Sequence, residues 1–108
     1  MEFVETSIFT KQISALLGDD EYREFQLGLV ANPEMGDLIR GGGGIRKVRV
    51  GVGSRGKRGG GRVIYYWAVR RDQILLLFAY PKNEMVDLTP KQTAMLAKAV
   101  KEEFGHEG

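Results

Sequence analysis

Seven successive apolar residues, Ile74 to Tyr80 (ILLLFAY), constrain this chain more than any other stretch. The run is far too short to cross a bilayer but has the length of a strand. A strand apolar on both faces belongs in the middle of a sheet. A tight turn, Arg70-Arg71-Asp72-Gln73, joins it to Arg62–Val69 (RVIYYWAV), whose β-branched and aromatic residues predict a neighbouring strand. Upstream, Ile45, Val48, Val50 and Val52 alternate in part with Arg and Gly, predicting a third strand with one basic face. Phe3 and Val4 read as a short first strand.

The remaining segments have helical spacing. Ile8, Phe9, Ile13, Leu16 and Leu17 recur after Ser7 and stop at Gly18. Asp19 and Asp20 then offer a cap to a second helix with an apolar stripe of Tyr22, Phe25, Leu29 and Val30, ended by Asn32-Pro33. So short a connection predicts an antiparallel helical hairpin. Thr89 caps a last helix with Pro90 in its first turn and Met95, Leu96, Ala99 and Val100 inward. The expected order is β-α-α-β-β-β-α. This is an α+β domain over residues 1–108, a twisted antiparallel sheet with its helices packed on one side.

Charge is sharply segregated. From Arg40 to Arg71 there are eight arginines, two lysines and no acid; the other six Lys/Arg stand against all fourteen Asp/Glu. The net charge of +2 thus hides a basic segment of +10 and a remainder of −8. Solubilising surfaces intersperse both signs, so ten like charges without an acid imply an anionic partner, most simply a nucleic acid backbone. On the basic strand Arg46, Val48 and Val50 face one way, while Lys47 and Arg49 face the other. Arg62 starts the next strand, Tyr66 lies along it, and Tyr80 and Lys82 close the strand after that. These residues predict a shallow groove of ammonium, guanidinium and phenol groups that suits phosphates and stacked bases. Arg55, Lys57 and Arg58, in the loop GSRGKRGGG, extend it.

Other chemistries find little footing. There is no cysteine, hence no disulfide or thiolate chemistry, and the one histidine, His106, lies in a Gly/Glu tail. Gly41–Gly44 lacks the preceding strand and the GK[ST] of a phosphate-binding loop, and reads as a hinge before the sheet. Glu2 and Glu5 stand where a secretory signal would be cationic, so a cytoplasmic protein without cofactor or membrane contact is expected.

The series IRKVRV, a Gly/Arg loop, RVIYYW, LLLFAYPKNE and a final helix resembles the RelE/HigB superfamily of bacterial toxins from type II toxin–antitoxin systems. The string Lys57-Arg58-Gly59-Gly60-Gly61-Arg62-Val63-Ile64-Tyr65-Tyr66 is most similar to the HigB-like branch. The resemblance implies a microbial-ribonuclease-like fold and cleavage of mRNA on the ribosome. It also implies silencing by a cognate antitoxin, typically a helix-turn-helix protein. By the same resemblance Lys47, Arg49 and Arg62 carry catalysis, with Lys82 as a further basic group. The family's C-terminal catalytic tyrosine has no counterpart in register, and Tyr80 stands earlier. Arg46, Arg55, Lys57, Arg58 and Tyr66 would hold RNA. Two alternatives remain: a ParE-like toxin that binds gyrase without nuclease activity, and a non-catalytic nucleic-acid-binding module.

Overall fold

The computed structural model describes residues 1–51, 60–85 and 87–104. Its order is β1 (Glu2–Glu5), α1 (Ser7–Leu16), α2 (Asp19–Ala31), β2 (Asp37–Leu38), β3 (Arg46–Val50), β4 (Gly61–Ala68), β5 (Gln73–Pro81) and α3 (Pro90–Phe104). The strands form one sheet in the order β1-β5-β4-β3-β2. The class is α+β, as expected, but the sheet is mixed, because β1 runs parallel to β5. A parallel partner needs a crossover connection, and the helical hairpin α1–α2 with β2–β4 intervenes between them in the chain.

The expectation that all helices lie on one side is overturned. Phe9 and Ile13 of α1 and Leu29 of α2 pack with Val48, Val50, Val63, Tyr65, Ile74, Leu76 and Ala79 on one face. Val100 and Leu96 of α3 pack with Ile64, Ala68, Leu75, Leu77 and Tyr80 on the other. Both faces of β5 are apolar, so both must be removed from water; β5 is flanked by β1 and β4, as its composition predicts. A β-bulge interrupts the alternation along β5, so that Leu77 and Phe78 both pack on the α3 side. Ile64 pairs with Phe78 but Tyr65 pairs with Leu76, so Leu77 is the extra residue in β5.

Caps mark the helix ends. Thr6 Oγ1 accepts from Phe9 N at the start of α1. Gly18 N donates to Glu21 Oε1 at the start of α2. Thr89 and Gln92 bond reciprocally at the start of α3, the geometry of a capping box. All three helical stripes are narrower than their composition suggests. Val30 and Met95 face solvent, as do Ile8 and Ala99, because residues adjacent in sequence lie about 100° apart around a helix.

Gly41–Gly44 forms the turn between β2 and β3 rather than a hinge: Ile39 N donates to Ile45 O at 3.0 Å and Gly42 N to Ile39 O at 2.9 Å. At Gly44 φ is +106°, and a Cβ there would come within 3.0 Å of the Tyr66 ring. A side chain at that position would be strained and would displace the ring.

Candidate functional site

Residues paired directly across an antiparallel ladder share a face. Arg49 stands opposite Arg62, Lys47 opposite Ile64, and Arg62 in turn opposite Tyr80. Lys47, Arg49, Arg62 and Tyr80 therefore converge on the α3 side of the sheet, on three adjacent strands. Four of the residues singled out from the sequence are brought together. Lys82 is exposed just past β5, where its N–H donates to Gly60 O at 3.1 Å. Tyr66 shares the α3 face but lies farther along β4, half-buried beneath Gly44.

Arg46 is placed elsewhere. It pairs with Tyr65 on the hairpin side of the sheet. Its guanidinium lies 3.7 Å from the Glu34 carboxylate and donates to Gly36 O at 2.8 Å and Glu34 O at 3.3 Å. There it fastens the loop after α2 to the sheet. Arg55, Lys57, Arg58 and His106 lie outside the described residues.

One residue of the cluster was missed in the sequence. Asp87, 40 positions beyond Lys47, accepts from Lys47 Nζ on Oδ1 at 3.0 Å. The same oxygen accepts from Leu88 N at 2.9 Å, fixing the carboxylate at the approach to α3. The Lys47 hydrogen bond holds the Asp87 carboxyl below its ordinary range; slight burial opposes it, and Arg62 adds to the lowering. Lys47 is thus not surrounded by cations alone. No local pattern announces Asp87; only the return of the chain over the sheet brings it to β3.

Lys47 separates two depressions. One is lined by Met35, Asp37, Lys47, Arg49 and Arg62. The other, toward α3, is lined by Asp37, Arg40, Lys47, Asp87 and Thr93. Tyr80, opposite Arg62, is only 4% exposed, and its hydroxyl has no hydrogen-bond partner among the described residues. Burial pushes the Tyr80 phenol above its usual pKa; the Asp87 carboxylate adds to this and the Arg62 guanidinium opposes it. Its ring leans on Phe78 at a centroid distance of 6.1 Å. Among the described residues no group of three or more His, Cys, Asp or Glu is placed to hold a metal ion. None of the described helices is long and apolar enough to cross a membrane.

A family model, the RelE toxin of the RelE / RelB toxin-antitoxin system, matches residues 30–107, which include the whole basic cluster and Asp87. The chain belongs to the RelE toxin family. It is a toxin of a toxin–antitoxin system, and that membership implies a cognate antitoxin partner. The matched segment, from the end of α2 onward, contains every strand that contributes to the cluster. The hairpin, most of which precedes that segment, supplies the opposite core.

Proposed function

We propose that this RelE-family toxin is a metal-independent endoribonuclease that cuts mRNA on translating ribosomes through the Lys47–Arg49–Arg62 face and is silenced by its antitoxin. The observation that carries this reading is the direct cross-strand pairing of Arg49 with Arg62 beside Lys47. Two like charges at directly opposed positions on a rigid sheet repel, and a bridging phosphate relieves that repulsion. Guanidinium forks match phosphate geometry, and their charge opposes the charge that builds on a phosphorane.

Cleavage by attack of a ribose 2′-hydroxyl needs a proton acceptor, stabilisation of the pentacoordinate phosphate and protonation of the departing 5′-oxygen. Lys47, Arg49 and Arg62 suit the second task. Lys82, exposed at the end of β5, suits the third. Tyr80, opposite Arg62, underlies the same cluster; its buried hydroxyl, without a hydrogen-bond partner among the described residues, reaches a phosphate oxygen only once the side chains above it move aside on binding. Arg55, Lys57, Arg58 and Tyr66 extend the contact along the RNA.

The test is cleavage of mRNA in a translating extract by purified toxin, with Lys47→Ala, Arg49→Ala and Arg62→Ala beside it. Each variant is expected to fall by roughly two or more orders of magnitude in rate, the scale of absent charge stabilisation. Growth arrest with intact mRNA and trapped gyrase–DNA complexes would instead establish the ParE-like activity.

A further inference from the structure

We infer that Asp87 is the proton acceptor of this site, a conclusion that rests on the ribonuclease reading. A groove built for a polyanion gains nothing in affinity from a carboxylate on its wall, yet Asp87 lines the α3-side depression, touches Lys47 at 3.0 Å and has a side chain that is 62% exposed. A role in the chemistry accounts for a group that binding alone would disfavour. Guanidiniums stay protonated at any physiological pH, so Arg49 and Arg62 cannot accept a proton. Tyr80 is buried and retains its own. Asp87 is ionised, fixed at its neck by Leu88 N, and open to a ligand.

Among the described residues both hydrogen bonds to Asp87 fall on Oδ1, and Oδ2 is the oxygen that receives the proton. The groups that face it are Lys47 from β3, Arg62 from β4 and Tyr80 from β5, with Asp37 and Arg40 across the depression. Asp37 is the other carboxylate at hand, lying opposite Lys47 in the β2–β3 pair. Lys47 nevertheless turns to Asp87 at 3.0 Å, and Asp87 also lies within electrostatic reach of Arg62 and Tyr80.

The 2′-hydroxyl gives its proton to Asp87 as the O2′–P bond forms. The P–O5′ bond breaks, its electron pair leaves on O5′, and that oxygen takes the proton released by the Lys82 ammonium. The products are a 2′,3′-cyclic phosphate and a 5′-hydroxyl. Water then removes the proton from Asp87 and restores the one given up by Lys82.

The experiment measures single-turnover cleavage and RNA association for the wild type, D87N, D87E, D87H and D37N, with thermal unfolding as a check on folding. D87N is expected to cut at least about 100-fold more slowly, the scale of a missing general base, while binding RNA as well as or better than the wild type. D87E should recover to within about tenfold of the wild type, because the carboxylate is retained. In D87H the acceptor becomes an imidazole with an ordinary pKa of about 6.5, and cleavage should rise with pH through that value. The wild type should be flat there, because its carboxylate is already ionised. A purely structural role would not create that limb. D87N cutting at the wild-type rate, or D37N losing activity while D87N keeps it, overturns the proposal alone. Wild-type protein that leaves mRNA intact overturns the ribonuclease reading and this proposal with it.

Discussion

Arg49 of β3 and Arg62 of β4 are direct cross-strand partners, so the candidate site is built on a like-charge pair. Such a pair destabilises a sheet by roughly 0.2–1 kcal/mol. Removing one member should therefore separate stability from activity. Arg49→Thr, which also favours a strand, is expected to raise stability by a few tenths to about 1 kcal/mol while cleavage falls by about 100-fold. Urea unfolding beside a cleavage assay checks both. A variant that loses stability would mean that Arg49 is part of the sheet's support.

The loop after α2 is held by a phenol as well as by Arg46. Tyr65 is fully buried; its hydroxyl donates to Pro33 O at 2.7 Å and accepts from Gly36 N at 2.9 Å. Tyr65→Phe leaves two backbone groups without that partner and should cost about 1–3 kcal/mol. Differential denaturant unfolding measures it, and a cost below a few tenths would show that water replaces the hydroxyl.

Alkaline stability follows from the buried tyrosines. Tyr22 is raised by burial first and then by its hydrogen bond and charge interaction with Glu5; burial also raises Tyr65 and Tyr80. In the unfolded chain each titrates near 10.0. Their folded values are higher, so their contribution is fully present below pH 10 and disappears as pH rises through the folded values. Stability should thus fall above about pH 10, and Tyr22→Phe should flatten that fall. Chemical unfolding from pH 8 to 11 is the measurement, and parallel profiles would remove Tyr22 as a cause.

The loop cations Arg55, Lys57 and Arg58 are expected to dock RNA rather than cleave it. Neutralising all three should weaken association and reduce the salt slope by roughly one unit for each phosphate no longer neutralised. A slope equal to that of the wild type would exclude phosphate binding by this loop.

Antitoxin association should slow markedly between low and physiological salt if the antitoxin approaches through the basic face. Stopped-flow mixing reports this directly. A rate independent of ionic strength would point to the α1–α2 hairpin or the β1 edge instead.

The elements and much of their chemistry were legible in the order of residues, because apolar period 2 and period 3.6 are local signals. Ile74–Tyr80 therefore announced a central strand, and Thr89-Pro90 announced the start of α3. Alternation alone separated Lys47 and Arg49 from Arg46. Folding in three dimensions was needed for the rest. Which face α3 covers, the parallel placement of β1 and the register that sets Arg49 against Arg62 all concern pairs of segments remote in the chain. A period in one segment cannot specify its partner. Asp87 belongs with these: an acid at the end of NEMVD has no periodicity, and its meaning comes from a 3.0 Å approach to a residue 40 positions away. Local side-chain patterns determine what a strand or helix can bury, but only packing determines which charges meet.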